Sequence, residues 1–469
     1  EGVNRIDEIV VTAQRREQSL LDVPIAVTAL GDEALTQARV TSIMDLSAVV
    51  PNLTIVPTAG GINAPTFAMR GKLSQGTNPG QDKAIGIYID GVPFGSPYGA
   101  SFDLPDIERL EVLRGPQGTL FGRNSTAGAI SVVTRDPDGQ FGVKQVVTMG
   151  NYDQLRTVTT VDTPQWGPFS AYVSYIHSER DGDIRNLGAG TVWDLSNAET
   201  GWKLVSPKTL GAHNSENIFA AVKFQPSDRF KLDYRYNRVR RNFTAEGYGL
   251  VWETVSTGAT SALKTAMLAD PPLIAGKKRP KVANNAFNGP GYLHADFHSA
   301  VATFDVNDEI SIKNIFGHQK VDVFSFTTLS GVGPSQGGVY KNAAGDWLVP
   351  VGTIAGQQTK NWSDELQLTY NSKFVTVTAG GIVFKSDAFQ GPPRVPGSNP
   401  VRTLPRTPFG AVYPNGLVAV TGPTDYFDDG KSLAAYFQGE FHVLPNLDIV
   451  AGYRITDDKK TGVSTVTSG

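Results

Sequence analysis

The chain of 469 residues contains no cysteine, which excludes disulfide bonds, thiolate metal sites and thiol nucleophiles. It has no run of 18 or more apolar residues, so the sequence encodes no transmembrane helix. The formal net charge is −3, so no excess of positive charge indicates nucleic-acid binding. Glycine, phenylalanine and tyrosine are plentiful, at 50, 23 and 15 residues. This composition fits a soluble protein or a transmembrane β-barrel, in which lipid-facing and interior residues alternate.

Signs of catalysis or metal binding are weak. The six histidines are scattered, and no Ser–His–Asp arrangement stands out. His294 and His298 are four residues apart but lack the intervening glutamate of a metalloprotease helix. Asp425, Asp428 and Asp429 could bind Ca²⁺ in an external loop, although a solvated turn is the stronger interpretation. We therefore expect no enzymatic activity, no catalytic residues, no cofactor and no metal.

The first third of the chain predicts a small mixed domain. Residues 31–51 carry helical signals, with Ser42 and Asp45 spaced as a capping box and Pro51 as a stop. Short strands are predicted at 53–56, 66–69, 85–89, 109–114 and 129–134, separated by glycine-containing turns. The turn cluster DPDG at 136–139 marks a natural boundary. The pattern therefore favours an α+β domain that ends near residue 137.

Beyond residue 142 the sequence alternates as paired strands do, and no helix is predicted. The clearest strand is 229–237, RFKLDYRYN, with aromatic and aliphatic residues on one face and polar residues on the other. Short turns join some strands, whereas the connections 181–217, 242–296 and 390–431 are long. This asymmetry is typical of an outer-membrane barrel, and a soluble β-sandwich seldom carries such loops. About eleven strands are predicted where a plugged barrel needs about 22, so we expect the N-terminal part of a longer protein.

Three ordered motifs carry a family resemblance: IYIDGV at 87–92, ERLEVLRGP at 108–116 and GRNSTAGAI at 122–130. Together they resemble the plug domain of TonB-dependent outer-membrane receptors. The resemblance implies an α+β plug domain followed by an antiparallel transmembrane β-barrel, incomplete in this chain, in the outer membrane of a Gram-negative bacterium. It implies a TonB-box segment at 1–17, the plug at 18–137 and a partial barrel with long extracellular loops at 138–469.

Two features of the first 130 residues acquire roles from this resemblance. The segment DEIVVTA, by itself an ordinary edge strand, resembles a TonB box, an extended peptide that an energised partner pairs with by β-augmentation. Its residues are Asp7, Glu8, Ile9, Val10, Val11, Thr12 and Ala13. The following Arg15 and Arg16 are expected to keep the segment solvated. Four glycines of the plug motifs are expected to allow close backbone approach: Gly115, Gly118, Gly122 and Gly128.

The resemblance also implies contacts between plug and barrel and a binding surface. Arg70 and Arg114 each precede a glycine and are expected to pair with barrel glutamates, with a solvated arginine as the alternative. The glutamates proposed are Glu365 and Glu440, on the polar face of predicted strands. Substrate is expected on the plug turns 73–83 and 93–101. The residues expected to hydrogen-bond or stack with it are Gln75, Asn78, Gln81 and Tyr98.

The function implied is TonB-dependent import driven by the proton-motive force, with TonB and the ExbB–ExbD inner-membrane complex as partners. The family's commonest cargo is a ferric siderophore or other iron complex. Import of a glycan, cobalamin, haem or an aromatic compound is left open, as is a non-transporting surface or assembly role. Outer-membrane lipid is the expected surroundings, no nucleic acid is expected to bind, and a lipoprotein partner is undetermined.

Overall fold

A computed structural model describes most of the chain. The described residues are 10–12, 14–16, 18–58, 61–74, 81–96, 106–195, 202–251, 261–274, 276, 278–328, 331–341, 343, 345, 347–349, 352–391, 411–413, 425–444 and 446–465. Within these ranges, no helix is both long enough and apolar enough to cross a lipid bilayer.

The N-terminal part is a mixed α+β unit built on short strands. The strands are β1 (Val10–Val11), β2 (Gln18–Ser19), β3 (Ala26–Gly31), β4 (Leu53–Thr58), β5 (Gly61–Met69), β6 (Lys72–Ser74), β7 (Ile85–Ile89), β8 (Val92–Pro93), β9 (Ile107–Arg114) and β10 (Gly128–Thr134). The helices are α1 (Asp32–Gln37), α2 (Gly118–Phe121) and two 3₁₀ helices, Leu20–Asp22 and Ile43–Ala48. A five-stranded sheet runs β3-β9-β10-β7-β8, and β10 and β7 are its parallel pair.

The sequence predicted this unit well. All five predicted strands are present, and the Ser42–Asp45 capping box is formed at the start of the second 3₁₀ helix. The core of the unit is the central pair of strands β9 and β10, where Val112 and Ile130 are fully buried. Their burial fixes the register of the sheet, because a slip of one residue would turn these side chains outward.

The rest of the chain is dominated by strands. They are β11 (Gly142–Gly150), β12 (Gln154–Asp162), β13 (Phe169–Arg180), β14 (Ile184–Asn186), β15 (Val192–Leu195), β16 (Trp202–Val205), β17 (Thr209–Leu210), β18 (His213–Ser227), β19 (Phe230–Thr244), β20 (Val282–Ala283), β21 (Pro290–Asp305), β22 (Ile310–Thr328), β23 (Tyr340–Lys341), β24 (Trp347–Val349), β25 (Gly352–Asn371), β26 (Val375–Gly391), β27 (Ala411–Tyr413), β28 (Asp425–Leu444) and β29 (Leu447–Thr465). Eleven of them form one antiparallel sheet, in the order β11-β12-β13-β18-β19-β21-β22-β25-β26-β28-β29. The predicted strand number is therefore confirmed.

Two details of the prediction were wrong. A helix, α3 (Ser261–Ala269), lies in a region where none was expected. The long connections are also shorter than predicted, because the strands run further: β18 begins at His213, β21 at Pro290 and β28 at Asp425. Loop-like composition at these strand ends hid their pairing, since polar residues suit both a loop and a strand end that projects beyond an apolar band.

The large sheet points its polar residues inward. On β19, Asp233, Arg235 and Asn237 are buried, whereas Tyr234 on the opposite face is 41% exposed. The inward residues face the N-terminal unit, and Arg235 makes an ion pair with its Asp90. Strand β19 thus has one apolar and one polar face, as predicted, and the polar face is the buried one.

Buried asparagines tie three long connections together. We call Asn186, Asn284, Asn285 and Asn288 the asparagine junction. Asn285 exchanges hydrogen bonds of 2.7 and 2.8 Å with the backbone of Tyr248, and its own N–H donates to Asn186 Oδ1 at 2.9 Å. Asn284 Nδ2 donates to the Pro334 carbonyl at 2.8 Å, and Asn288 Oδ1 accepts from the Thr328 N–H at 2.7 Å. The connections after β13, β19 and β22 therefore form one bonded unit.

Glycine allows close packing at some of the expected positions and not at others. A Cβ at Gly128 would clash with the Leu113 carbonyl oxygen and with Met69 Sδ. At Gly122 the Arg454 guanidinium would be 2.5 Å away, and at Gly115 the Arg70 Nη1 would be 3.2 Å away. Gly118 has no atom within 4 Å of such a Cβ, so the expectation of close approach there was wrong.

Gly128→Ala is expected to destabilise the N-terminal unit, whereas Gly118→Ala is not. At position 128 the new methyl group meets backbone, which cannot move aside, so overpacking should cost about 1–3 kcal/mol. At position 118 the methyl group enters open space. Urea-dependent proteolysis of the unit within the whole protein measures both. Equal midpoints for the two variants would contradict the packing argument.

Candidate coupling site between plug and sheet

The structure describes part of the predicted site. Val10, Val11 and Thr12 of the predicted TonB box are described, whereas Asp7, Glu8, Ile9 and Ala13 lie outside the described residues. Of the predicted substrate-binding residues, Gln81 is described and exposed. Gln75, Asn78 and Tyr98 lie outside the described residues.

The segment 10–16, here called the coupling segment, is docked on the N-terminal unit. Val10 pairs with Ser19 and Val11 with Gln18 as a short antiparallel ladder. Val11 is fully buried in a cluster with Leu113, Phe121 and other apolar side chains. This docking hides the edge that a partner strand would need for pairing.

A buried glutamate holds the next residue of the segment. Glu111 Oε1 accepts hydrogen bonds from the backbone N–H of Thr12 at 2.8 Å and from its hydroxyl at 3.0 Å. Glu111 is fully buried on β9, and Arg109 Nε donates to the same oxygen at 2.9 Å. Because the carboxylate is charge-compensated by Arg109, it can serve as a strong acceptor for Thr12. Sequence reasoning missed Glu111, although it lies within the recognised motif ERLEVLRGP.

Arg15 turns into the protein rather than into solvent. Its N–H donates to the Thr12 carbonyl at 2.9 Å, and its φ of 63° lies in the left-handed region. The side chain is 6% exposed, and its guanidinium lies 5.0 Å from the centre of the Tyr88 ring and 4.7 Å from that of Phe121. A left-handed arginine costs about 1–2 kcal/mol, so these contacts stabilise a turn that would not form in the free peptide.

Glu365 on β25 is the countercharge of Arg15. Glu365 Oε1 accepts from the Tyr436 hydroxyl at 2.6 Å and from Gln367 Nε2 at 2.7 Å. Its Oε2 lies 3.6 Å from Arg15 Nη2, and the side chain is 2% exposed. Burial alone would lower the pKa of Arg15, but Glu365, Tyr88 and Tyr436 together outweigh burial and the pKa is raised. Arg15 therefore stays charged while it is docked.

Arg16 makes a second ion pair to the sheet, with Glu440 of β28. Its Nε also donates to Gln18 Oε1 at 2.8 Å. Both arginines of the coupling segment thus bind glutamates of the sheet. The expectation that they keep the segment solvated was wrong for Arg15, because aromatic faces and Glu365 replace its water.

The predicted partners of the two glutamates are corrected accordingly. The structure pairs Glu365 with Arg15 and Glu440 with Arg16, and not with Arg70 or Arg114. Arg70 is exposed at the turn after β5. Arg114 is half-buried, and its Nε has no hydrogen-bond partner within the described residues. The arginines that pair with the two glutamates come from the coupling segment.

A second ionic cluster joins the end of the N-terminal unit to β19. Arg235 lies 2.5 Å from Asp136 Oδ1 and 3.6 Å from Asp90 Oδ2, and Lys231 lies 3.2 Å from Asp136 Oδ2. Burial would raise the pKa of Asp136, but Arg235 and Lys231 outweigh burial and lower it. A lowered pKa in the folded state means stabilisation above the unfolded pKa, lost as the pH falls through the folded value. This anchor is therefore fully formed at neutral pH.

A cavity of about 170 Å³ separates these two ionic clusters. Thr12 and Arg15 of the coupling segment line one side, and Asp136, Lys231 and Arg235 line the other. Charged side chains share the lining with apolar ones, among them Phe121, Val301 and Ile315. Since the coupling segment forms part of its boundary, departure of that segment would open it.

Further side chains of the sheet contact the turns of the N-terminal unit. Gln319 Nε2 donates to the Pro93 carbonyl at 3.0 Å, and Gln319 Oε1 accepts from the Gly95 N–H at 3.4 Å. Asp82 pairs with Lys460 of β29 at 2.5 Å. Burial lowers the pKa of the neighbouring Lys83 to about 8. Lys83 therefore loses its proton more readily than an exposed lysine, at the edge of the predicted binding turns.

Comparison with known proteins agrees with this architecture. The family profile of the TonB-dependent Receptor Plug Domain matches residues 19–129. The pesticin receptor of Yersinia pestis is 30% identical over 185 residues, 39% of this chain and 27% of its own length. The vitamin B12 transporter BtuB of Vibrio vulnificus is 28% identical over 233 residues, 48% of this chain and 34% of its own length.

Solved structures share the fold at low identity. The ferric yersiniabactin uptake receptor FyuA from Yersinia pestis has a TM-score of 0.66 at 17% identity, over 94% of this chain and 61% of that one. The ferripyoverdine receptor of the outer membrane of Pseudomonas aeruginosa has a TM-score of 0.69 at 14% identity, over 98% of this chain and 56% of that one. The chain thus spans less than two thirds of the length of each relative. The profile match thus identifies residues 19–129 as a TonB-dependent receptor plug domain, and the chain as a whole shares the fold of these outer-membrane receptors.

Proposed function

We propose that this receptor imports a scarce solute across the outer membrane in a TonB-dependent manner, with energy from the proton-motive force delivered through TonB and ExbB–ExbD. The observation that carries the proposal is the coupling segment, a short strand docked by a few specific polar contacts. Val11 and Thr12 are held by one apolar cluster and one carboxylate, and Arg15 and Arg16 by two glutamates of the sheet. Such a segment can be withdrawn as a unit by a partner that pairs with its edge.

The contacts define the order of events in this proposal. Partner pairing with Val10 and Val11 replaces their ladder with β2, which costs little because one set of backbone hydrogen bonds substitutes for another. Further pulling removes Arg15 from Glu365, and the buried carboxylate is then left without its countercharge. The loss of Thr12 and Arg15 also opens the cavity beside them. The plug is thereby loosened where force is applied, while Gln319 still holds the Pro93 carbonyl.

For the cargo we propose a ferric siderophore or another iron complex. The support is the names of similar proteins, which include receptors for ferric yersiniabactin, ferripyoverdine and hemin. The vitamin B12 transporter among the relatives favours a corrinoid as the second candidate. Gln75, Asn78, Gln81 and Tyr98 remain the proposed contacts with cargo on the plug turns.

Val10→Pro is expected to abolish uptake of the cargo and leave its binding intact. Proline removes the N–H of residue 10 and resists continuous strand pairing, so a partner could not extend along the segment. Uptake of a panel of radiolabelled iron chelates and cobalamin by intact cells measures transport, and binding at 4 °C measures capture. Val10→Thr, which keeps the strand, is the matched control. Equal uptake by wild type and Val10→Pro would contradict TonB-dependent import.

Arg15→Gln is expected to release the coupling segment without any partner. The substitution leaves Glu365 buried and unpaired, which costs about 3 kcal/mol or more and shifts the undocking equilibrium about 100-fold. Because the chain has no cysteine, a single Val11→Cys reports undocking through its rate of reaction with a thiol reagent. Adding Glu365→Gln to Arg15→Gln should restore much of the protection.

The control for the Arg15 and Glu365 variants is Arg39→Gln, which removes an exposed arginine elsewhere on the plug. It should leave the labelling rate of Val11→Cys unchanged. If Arg15→Gln and Arg39→Gln label at the same rate, the Arg15–Glu365 pair does not hold the segment. Additive effects of Arg15→Gln and Glu365→Gln would equally show that the two side chains act independently.

A further inference from the structure

Three side chains of the kinds that bind metal ions meet at the short turn that joins β28 to β29. Glu440 and His442 lie two residues apart on β28 and so share its inward face, and Asp448 on β29 is directly opposite His442. One donor atom from each of the three residues lies within 4.8 Å of the other two. No metal was expected from the sequence, because Asp448 joins the other two residues only through the pairing of these strands.

The hydrogen bonds around His442 leave one of its ring nitrogens facing a carboxylate. The Thr376 hydroxyl donates to Asn371 Oδ1 at 2.9 Å, so it acts as an acceptor toward His442 Nε2, 3.3 Å away. Nε2 therefore carries the imidazole proton, and in the neutral ring Nδ1 has a bare lone pair. That lone pair lies 2.8 Å from Asp448 Oδ1, which is also an acceptor. Two acceptors at this distance need a cation between them or a second proton on the ring.

A zinc ion satisfies all three donor groups at once. Zinc binds imidazole nitrogen and carboxylate oxygen together at about 2.0–2.2 Å, so its tetrahedral ligand atoms lie roughly 3.3–3.6 Å apart. A shift of roughly 1 Å brings the Glu440 carboxylate to that spacing from the other two donors. His442 already has the arrangement usual for a zinc ligand, because its other nitrogen donates a hydrogen bond to Thr376.

Glu440 is also the partner of Arg16, the residue that ties the end of the coupling segment to the sheet. A divalent ion at Glu440 repels the Arg16 guanidinium and neutralises its countercharge. Arg16 then keeps two neutral partners, Gln18 Oε1 at 2.8 Å and Gln14 Oε1 at 3.3 Å. The metal ion and the docked arginine therefore compete for one carboxylate.

We propose that Glu440, His442 and Asp448 bind a divalent transition-metal ion of the zinc type, and that this ion weakens the docking of the coupling segment through Arg16. The ion acts on the segment and is not the cargo. Because the coupling is reciprocal, undocking of Arg16 strengthens metal binding by the factor by which the metal favours undocking. The site is independent of the transport proposal, since metal binding and undocking are both properties of the receptor alone.

Equilibrium dialysis of the purified full-length receptor against radioactive zinc tests the site. The receptor carries an affinity tag without histidine, because a polyhistidine tag would itself bind zinc. The wild type should bind one zinc ion that His442→Gln and Asp448→Asn each bind about 100-fold more weakly, the upper end of the cost of losing a group that supports a ligand. Thr376→Val keeps all three ligands and should lower the affinity about tenfold.

The matched control is His177→Gln, which removes a histidine that also lies beside a carboxylate, Glu179, at 3.5 Å. It should bind zinc as the wild type does. Equal zinc affinity in His177→Gln and His442→Gln would overturn the site and leave His442 and Asp448 as an ordinary ion pair. If His442→Gln does not fold, Asp448→Asn decides the question, because Asp448 is exposed and its replacement disturbs little packing. Unchanged affinity in that variant would also overturn the site.

Arg16→Gln tests the competition with the coupling segment. Removal of the guanidinium leaves Glu440 free for the metal, so zinc affinity should rise about fivefold or more. Arg39→Gln removes an exposed arginine elsewhere on the plug and should leave zinc affinity unchanged. If Arg16→Gln and Arg39→Gln bind zinc equally well, the metal does not act on the coupling segment and the proposal fails.

Discussion

The ion pair between Arg15 and Glu365 is the contact on which the coupling site depends. It joins a segment near the start of the described chain to a strand 350 residues later, and both side chains are almost fully buried. A buried pair of this kind adds little net stability compared with apolar packing, but removal of one partner is costly. The energetic asymmetry suits a contact that must persist at rest and be broken by applied force. The left-handed turn at Arg15 adds to it, because the turn relaxes once the side chain is free.

Other polar contacts between the plug and the sheet form two groups. The cluster of Asp136, Arg235 and Lys231 fixes the end of the plug to strand β19. It involves no residue of the coupling segment. The Gln319 contacts hold the turn at Pro93 and Gly95 with neutral hydrogen bonds. In the proposed import, force on the coupling segment acts directly on the Arg15 and Arg16 contacts, since neither of the two groups includes a residue of that segment. The plug can be loosened locally while it remains attached to the sheet.

Much of this fold could be predicted from the sequence. The plug strands, the Ser42–Asp45 capping box and the eleven strands of the sheet follow from local periodicity and turn chemistry, which a single sequence records. The glutamates at 365 and 440 could be proposed as contacts because both lie on the polar face of predicted strands. Their partners could not be predicted, because pairing across hundreds of residues depends on strand register and on which arginine lies near the carboxylate in the folded protein. Glu111 shows the same limit: its motif was evident, but its role as acceptor for Thr12 depends on where the coupling segment docks.

The asparagine junction has a consequence for how this receptor can change over time. Three long connections share hydrogen bonds through Asn186, Asn284 and Asn285, so an insertion in one of them displaces backbone in the other two. Mutations in these connections should therefore show strong epistasis, with many single changes tolerated only in the presence of a second. New cargo preferences would arise more readily from side chains outside the junction, which can vary one at a time. The junction thus sets which parts of the outer surface are free to diversify.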